Sequence, residues 1–362
     1  MAVTIDRCIG ADIEDVVRFI DEHWARGHAL VASRPLLDWQ HRNADGGYSF
    51  VVARADGDVA GVLGYIPTRR FDPALADTNV VWLTTWKVRQ DAGVAGLGLA
   101  LLRHLAEVEP HVAIGAIGLN PATRPIYQAL GYRLGELQHY VLPNVTLRNF
   151  DLASLTPAVG VRGVRLQADL AGPAKAGHYV QSAPLTSMVL SRKDEFERLA
   201  DAGWSGSTGV VPRKTARYFH ARYVCHPLYS YRVLALSDRE AVVGLLAART
   251  AEHDGCRALR IVDFLGSPDL VGRLGHVLQS LIQEEDAEYA DVYNAGIEPA
   301  TFERAGFRRV DPDGGDIVPD HFEPFERRNV RLWFSIKGAC EPVLFKGDAD
   351  QDRPSAVPNV SR

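Results

Sequence analysis

The sequence predicts an α/β protein of the α+β type, made of two similar units in which helices flank a mixed, mostly antiparallel sheet. Apolar residues recur at strand spacing and at helix spacing in alternating stretches, and the same order of stretches occurs twice. In both units a helix ends at a glycine that an aromatic residue follows, at 127–132 and 302–307. The predicted domains are a first unit, a connector, a second unit and a disordered polar tail, at 1–143, 144–160, 161–338 and 339–362.

The composition is typical of a globular cytoplasmic protein. Of the 362 residues, 46% are hydrophobic and 23% are charged, and the formal net charge of −5 disfavours a nucleic-acid partner. No apolar run approaches the ~20 residues that cross a bilayer, and the first residues lack a signal-peptide pattern. Cys8, Cys225, Cys256 and Cys340 are too far apart for a zinc or disulfide motif. We therefore expect reduced thiols, no metal and no membrane contact.

The first unit begins with a strand at 3–8 and an amphipathic helix at 13–24. A second, short helix is predicted at 35–42. Asp56-Gly57 indicates a hairpin turn between two strands. Pro121 near the start and Gly131 just past the end indicate a helix at 120–130. The other predicted elements are strands at 48–55, 59–71, 79–88, 111–119 and 132–142, and a helix from 93 to about 110.

The second unit repeats this order. A strand at 164–167 and helical stretches up to about residue 200 precede a glycine-rich turn at 203–209. The remaining predicted elements are a helix at 213–223, a hairpin of 229–236 with 241–250, a strand at 258–265, a helix at 269–285, a strand at 289–293, a helix at 298–305 and a strand at 330–336.

A glycine-rich loop between a strand and a helix indicates an anion-binding site. Gly93, Gly96 and Gly98 let the backbone approach a ligand closely, and the start of the following helix adds unpaired N–H groups and partial positive charge. The order GxxGxG differs from the GxGxxG of dinucleotide-binding folds, and no GK[ST] of a P-loop follows. Alternatively, the glycines only let a helix pack tightly on the sheet.

A second motif favours the ligand site: Asn120-x-x-Thr-x-x-x-Tyr127-x-x-x-Gly131-Tyr132. Together the two motifs resemble the GNAT acyltransferase superfamily over roughly residues 3–142. The family's coenzyme motif [QR]xxGx[GA] is matched at 93–98, except that Gly93 stands in place of Gln or Arg. The resemblance implies acetyl-CoA or another acyl-CoA as co-substrate, and transfer of its acyl group to a primary amine.

The resemblance also implies roles for particular residues. Tyr127 would protonate the departing CoA thiolate, a general-acid role that needs a hydroxyl within hydrogen-bond reach of the sulfur. The alternative for Tyr127 is an aromatic side chain that packs in the core. Asn120 would bind the pantetheine arm, and backbone amides would hold the diphosphate. The predicted coenzyme-binding residues are Val88, Gly93, Val94, Ala95, Gly96, Leu97, Gly98, Leu99 and Asn120.

The sequence leaves two candidates for the base that takes a proton from the amine. Many family members carry a glutamate on the strand before the glycine-rich loop, but 82–87 contains no carboxylate. His28 lies in the loop between the first two helices, which usually lines the acceptor site; a solvated loop histidine is the alternative. Asp263 lies in an apolar strand of the second unit, so it is either paired structurally or part of a site.

The second unit departs from both motifs. Pro268 removes an amide that would face phosphate, and Phe302 replaces the tyrosine hydroxyl. We expect this unit to keep the fold, to have lost coenzyme binding and to form a wall of the acceptor site.

The acceptor is predicted from a segment in which basic and aromatic residues alternate. Arg217 and Arg222 indicate either a solvated helix face or a phosphate clamp, and with Thr85 they are the predicted substrate-binding residues. The layout resembles two-domain family members among bacterial sugar-modifying enzymes, so the favoured small-molecule acceptor is a nucleotide-linked amino sugar. The alternatives are an aminoglycoside, a polyamine or a protein N-terminus, or a CoA-binding regulatory module without turnover. We expect a monomer or homodimer.

Overall fold

The computed structural model describes residues 2–155, 184–204, 206, 209–320, 326–339 and 341–354. Helices and strands alternate through both halves of this part of the chain, which confirms the predicted α/β class. None of the helices described is both long enough and apolar enough to cross a membrane. The predicted strand at 164–167 lies outside the described residues.

The helices and strands of the first half, up to residue 143, are β1 (Val3–Cys8), α1 (Ile13–His23), α2 (Ala29–Ala32), α3 (Arg34–His41), β2 (Tyr48–Ala55), β3 (Asp58–Pro67), β4 (Val80–Val88), α4 (Leu97–Val108), β5 (Ala113–Ile117), α5 (Arg124–Ala129) and β6 (Arg133–Pro143). Those of the second half are β7 (Thr186–Leu190), α6 (Lys193–Asp201), α7 (Ala216–Phe219), β8 (Arg232–Asp238), β9 (Ala241–His253), β10 (Cys256–Gly266), α8 (Gly275–Glu284), β11 (Tyr289–Ala295), α9 (Pro299–Arg304), β12 (Arg308–Arg309), β13 (Leu332–Lys337) and β14 (Leu344–Phe345).

Local sequence signals explain several of these boundaries. In the turn between β2 and β3, Asp56 and Gly57 have φ angles of 50° and 98°, the left-handed conformation that a type I′ hairpin turn requires. Helix α3 begins after Ser33, whose hydroxyl oxygen accepts a hydrogen bond from the Leu36 N–H at 3.3 Å. The helix predicted at 213–223 is shorter than expected, because α7 gives way after Phe219 to a π-helical turn.

The described strands join one sheet in the order β1-β2-β3-β4-β5-β13-β6-β11-β10-β9-β8-β7, with β12 beside β6 and β14 beside β11. The pairs β4–β5 and β10–β11 are parallel and the other pairs described are antiparallel. The predicted mixed, mostly antiparallel sheet is therefore confirmed. In each half, four antiparallel strands lead into the parallel pair.

The two halves exchange strands at the centre of the sheet. Residues 133–137 of β6 pair with β13, whereas residues 138–143 pair with β11. Strand β13, which the sequence placed at the end of the second unit, lies between β5 and β6. The main-chain pairing thus crosses the predicted boundaries at 143 and 161. Hydrogen bonds to a strand some 200 residues away leave no local signal in the sequence.

Residues 341–354 correct the prediction of a disordered tail from residue 339. Strand β14 pairs with β11 at Asn294 and Ala295, and the polar residues that follow it are largely buried. Composition predicted fraying, but these side chains are satisfied by distant partners, such as Asp320 for Lys346 and Arg249 for Asp352.

Helices cover both faces of the first half of the sheet. The apolar face of α4 packs with β2, β3 and β4 in one cluster, and α1, α2 and α3 pack against Phe50 and Val52 on the opposite face. This packing fixes the loop before α4 at the end of β4.

Candidate functional site

The candidate site lies where β4 and β5 separate. Their parallel pairing ends at Trp82 and Gly115. Just beyond, Thr84 and Thr85 of β4 together oppose Gly64 of β3, which is a β-bulge. A Cβ atom at Gly64 would lie 2.6 Å from the Thr84 hydroxyl oxygen, so the bulge requires glycine opposite it. Within the described chain, the edge of β4 that faces β5 has no strand partner past Trp82.

The glycine-rich loop presents backbone amides at the end of this opening. Gly93 and Gly96 have φ angles of 65° and 75°, which favour glycine. The Ala100 N–H donates to the Gly96 carbonyl at 3.0 Å, so the amides of Leu97 to Leu99 precede the first intrahelical bond of α4. A Cβ atom at Gly96 would meet no atom within 4 Å. Unpaired amides, open space and a helix N-terminus together suit a diphosphate.

A cavity of ≈ 480 Å³ opens beside the loop, between α4, β5 and the start of β6. Three of the residues that line it were not among those predicted from the sequence: Arg103, His111 and Lys337. The Lys337 ammonium donates to the Leu130 carbonyl at 3.1 Å and lies 5.9 Å from the centre of the Tyr132 ring. Basic side chains around a cavity next to an amide cradle suit the phosphates of a nucleotide coenzyme. Arg103 follows Gly96 by two helical turns, a spacing visible in the sequence, whereas Lys337 arrives by strand exchange.

Tyr127 lies next to Trp86 on the unpaired part of β4. The two rings meet edge to face with centroids 5.8 Å apart, and the Tyr132 ring lies 5.2 Å away on another side. Burial raises the pKa of the Tyr127 phenol well above its usual value, and Tyr132 adds to the effect. The phenol therefore stays protonated at neutral pH, and it makes no hydrogen bond within the described chain. This state is the one that a general acid requires.

Of the other predicted coenzyme residues, Gly98 and Val88 lie beside Trp86. A Cβ atom at Gly98 would lie 3.4 Å from the Trp86 indole nitrogen and 3.7 Å from Val88, so the loop, the end of β4 and the Tyr127 ring meet around Trp86. Asn120 is exposed, and its side-chain oxygen accepts a hydrogen bond from the Ala122 N–H at 2.9 Å. Thr85 is buried in the bulge of β4.

His28 is buried, in contrast to a solvated loop histidine. Its Nδ1 accepts a hydrogen bond from the Leu30 N–H at 3.3 Å and caps α2. Burial and, to a smaller extent, the charge of Arg353 lower the pKa of His28 to about 4, against an opposing effect of Asp350. The neutral ring therefore carries its proton on Nε2, which is buried without a partner. His28 is placed to donate a hydrogen bond here, whereas the predicted role as a base needs a free acceptor nitrogen.

Asp263 lies in the second half, fully buried on β10. Its carboxylate accepts hydrogen bonds from the Lys214 ammonium at 2.5 Å and the Tyr223 hydroxyl at 2.6 Å. The sequence left two interpretations of Asp263, a structural pair or part of a site. The structure favours the structural pair, because the carboxylate contacts the Lys214 ammonium, the Tyr223 hydroxyl and the Phe264 N–H.

The two predicted phosphate-binding arginines do not form a clamp. Arg217 lies at the surface and pairs with Glu197 at 2.6 Å and Asp201 at 2.7 Å. Arg222 is buried between the rings of Trp39 and Phe71, and it donates to main-chain carbonyls of residues 347 and 349. Both guanidinium groups are thus engaged by the protein itself.

In the second half, the opening equivalent to the candidate site is filled by the chain. The pairing of β10 with β11 ends at Ile261 and Val292, and β14 then pairs with β11 at 294–295, on the edge that β10 has left. β10 carries its own bulge at Val262, and a Cβ atom at Gly347 would lie 2.7 Å from the Val262 carbonyl oxygen. The segment after residue 341 thus occupies the space between β10 and β11 past the end of their pairing.

A repeat in the sequence supports this equivalence. Gly118-Leu-Asn-Pro-Ala-Thr follows β5, and Gly296-Ile-Glu-Pro-Ala-Thr follows β11. Gly118 and Gly296 have φ angles of 80° and 97°. This six-residue repeat was not among the features predicted from the sequence, although four of its six positions are identical. In the second copy, glutamate replaces Asn120.

One group of possible metal ligands occurs among the described residues, in the second half. Ligand atoms of Asp151, Cys256 and Glu288 lie within 4.8 Å of one another. Both Glu288 oxygens accept main-chain hydrogen bonds, from Asp151 at 2.8 Å and Leu152 at 2.9 Å. These bonds explain the position of the carboxylate without an ion.

Residues 15–132 match the family model described as Acetyltransferase (GNAT) family. No curated protein matches the sequence. Among solved structures, the chain is similar to a GCN5-related N-acetyltransferase from Anabaena variabilis ATCC 29413, with a TM-score of 0.51 and 12% identity over 93% of this chain and 72% of that chain. A GCN5-related N-acetyltransferase from Kribbella flavida gives a TM-score of 0.52 and 14% identity, over 92% of this chain and 70% of that chain. A probable N-acyltransferase from Enterococcus faecalis V583 gives a TM-score of 0.51 and 11% identity, over 93% of this chain and 73% of that chain.

At these identities the solved structures show the fold, and they cover both halves of this chain. The fold is that of the GNAT acetyltransferases, a family that uses acyl-CoA. Residues 15–132 form a GNAT acetyltransferase domain, so the family that the two motifs resemble is confirmed. An acyl-CoA-dependent N-acyltransferase, the kind of enzyme predicted from the sequence, is confirmed with it.

Proposed function

We propose that this protein transfers an acyl group, most simply acetyl, from acyl-CoA to a primary amine at the divergence of β4 and β5. The observation that carries the proposal is the meeting of both motifs at Trp86, which contacts the Tyr127 ring and lies beside Gly98. A coenzyme held at the amide cradle and the cavity with Arg103 and Lys337 would direct its thioester along β4 toward Tyr127.

The described groups supply three contributions to the reaction. Main-chain N–H groups on the unpaired edge of β4 can polarise the thioester carbonyl. Fixing the thioester and the amine in one opening supplies attack geometry. As the C–N bond forms and the C–S bond breaks, the Tyr127 hydroxyl can give its proton to the CoA thiolate, since burial keeps this phenol protonated.

The first acceptor to test is a nucleotide-linked amino sugar, with an aminoglycoside, a polyamine and a peptide N-terminus as alternatives. The phosphate clamp expected from Arg217 and Arg222 is absent from the described structure, so support for the first acceptor rests on the sequence resemblance. We further propose that the second half is a degenerate copy, supported by its filled opening and its repeat of 118–123 at 296–301. Free Cys8, Cys225 and Cys256 fit action in the reducing cytoplasm.

Release of CoA thiol from acetyl-CoA with each of these four amines tests the activity. Tyr127→Phe should lower turnover by about 100-fold, the scale of a general-acid contribution, with unchanged acetyl-CoA affinity. Tyr140→Phe, which removes a hydroxyl from the part of β6 that packs on Phe302, is the control. Acetyl-CoA binding without thiol release for any amine would indicate a regulatory CoA-binding module, and full turnover of Tyr127→Phe would remove the proposed acid.

A further inference from the structure

Strand β4 carries a lysine at the candidate site that the proposed mechanism does not use. Lys87 follows Trp86 on the part of β4 that has no strand partner toward β5 in the described chain. Its neighbours Trp86 and Val88 both lie beside Gly98, because a Cβ atom on that glycine would be 3.4 Å from the Trp86 indole nitrogen and 3.7 Å from a Val88 methyl carbon. Consecutive Cα atoms are about 3.8 Å apart, so the backbone of Lys87 lies within the candidate site.

The Lys87 side chain points to the face of the sheet opposite α4. Side chains alternate along a strand, so Lys87 faces away from its neighbours Trp86 and Val88. The pairing with β3 gives the same direction, because directly opposed residues share a face. Leu63, paired with Trp86, packs in the cluster of α4, whereas Val62, paired with Lys87, packs in the cluster of α1, α2 and α3. The amine of Lys87 therefore lies on the side of α1, α2 and α3.

The two faces of the opening have different occupants in the proposed reaction. The cavity with Arg103 and the Tyr127 ring both lie on the α4 face, so a bound coenzyme covers that side. The amine then approaches the thioester from the other face, through the gap between β4 and β5. Lys87 is a primary amine that the chain itself holds on this second face.

Lys87 differs from the other lysines near buried groups because the protein does not engage its amine. Its side chain is half-buried, and it forms neither a hydrogen bond nor an ion pair with any residue that the structure describes. In contrast, Lys214 and Lys346 are held in buried ion pairs, and Lys337 donates to a main-chain carbonyl. An amine without a partner at an acyl-transfer site has the chemistry of an acyl acceptor.

We propose that Lys87 is a self-acylation site, whose amine takes the acyl group from the acyl-CoA bound by the same chain. The inference rests on the proposed function. The unprotonated Lys87 nitrogen forms a C–N bond with the acyl carbon as the C–S bond breaks, and the thiolate takes the proton of the Tyr127 hydroxyl. One proton of the attacking nitrogen then restores the Tyr127 hydroxyl, so the products are Nε-acyl-lysine and CoA thiol.

Proximity gives Lys87 its advantage over other amines of the chain. The flexible aliphatic stem of a lysine lets the amine bend toward the edge of its own strand. Holding an amine and a thioester in one molecule replaces a bimolecular encounter, and well-oriented groups reach effective molarities of about 10⁵ M or more. A small part of this effect, about 100-fold, is enough to separate Lys87 from a lysine that meets acyl-CoA only by collision.

The test incubates the full chain with acetyl-CoA and no added amine, and follows acetylation of its six lysines by peptide mass spectrometry. Lys87 should be acetylated at least about 100-fold faster than Lys193, the exposed lysine at the start of α6. Gly96→Glu, which places a carboxylate in the anion site, should remove this difference. Tyr127→Phe should slow acetylation of Lys87 by about 100-fold and leave Lys193 unchanged.

A mixture of two variants separates transfer within a chain from transfer between chains. Gly96→Glu keeps the amine of Lys87 but loses the anion site, whereas Lys87→Arg keeps the anion site but loses the amine. Mixed with acetyl-CoA, the Gly96→Glu chain should be acetylated at Lys87 no faster than when it is incubated alone. Faster acetylation in the mixture would refute transfer within one chain.

The outcomes keep the two proposals apart. Native protein that releases thiol with an added amine, but acetylates Lys87 no faster than Lys193, refutes self-acylation and leaves the proposed function standing. Native protein that neither acetylates Lys87 nor releases thiol with any amine refutes the proposed function as well.

Discussion

The strongest stability prediction concerns Lys214, which neutralises two buried carboxylates. Its ammonium lies 2.5 Å from an oxygen of Asp263 and 2.8 Å from an oxygen of Asp348, and these three side chains are 3%, 0% and 0% exposed. Lys214→Met would leave two buried carboxylates without their cation. Removing one partner from a buried pair costs about 3–5 kcal/mol. At about 2.1 cal/mol/K per residue, this corresponds to a melting temperature lower by roughly 5 °C, if the 362 residues unfold together.

The loss should depend on pH with a definite sign. Burial and the charge of Asp263 raise the pKa of Asp348 to about 6 even with Lys214 present. A carboxyl with a raised folded-state pKa favours folding below its unfolded pKa and loses that contribution as the pH rises through 6. Without Lys214 the Asp348 carboxyl is harder to ionise, so the cost of Lys214→Met should be smaller at pH 5 than at pH 8.

Urea unfolding of the native protein, Lys214→Met and Lys193→Met at pH 5 and pH 8 measures this effect. Lys193 lies exposed at the start of α6, so its loss should change stability little at either pH. Equal effects of the two substitutions, or a Lys214→Met loss that does not shrink at pH 5, would contradict the assigned pairing.

Three further predictions concern the glycine-rich loop, the cavity beside it and His28. Gly96→Glu should abolish acetyl-CoA binding by calorimetry, because the carboxylate would project into the open anion site; Gly57→Glu, also at positive φ in open space, should not. Lys337→Met should weaken acetyl-CoA binding by about 5-fold at low salt, and added salt should narrow the difference. Folding stability should fall by about 3 kcal/mol as the pH drops from 6.5 to 4, since burial lowers the His28 pKa to about 4. His28→Asn keeps a cap for Leu30 and should remove that part of the pH dependence; an unchanged pH profile would mean that His28 titrates normally.

Much of the candidate site was predictable because it depends on local backbone geometry. Gly96 is needed at positive φ whatever the rest of the chain does, and Tyr127 follows from the spacing of a short helix that ends at Gly131. Both features belong to continuous stretches of sequence, so their geometry could be inferred before the fold was known.

The partners of the ionisable side chains could not be inferred in this way. His28 was a reasonable base by residue type, but the Leu30 amide occupies its acceptor nitrogen. The role of Asp263 could not be decided from the sequence, because its partner Lys214 lies 49 residues away. The pKa of a group depends on burial and on charges brought close by folding, which sequence spacing does not record.

The type of fold, the glycine-rich loop of 93–98 and the helix that carries Tyr127 follow from local sequence, because turns, helix ends and apolar periodicity are set within a few residues. The place of β13 in the first half, the position of Lys337 at the cavity and the contacts of residues 342–354 with Gly296 and Gly118 are known only from the folded chain. These features depend on main-chain pairing and buried ion pairs between distant residues. Such contacts form only when the whole sheet assembles.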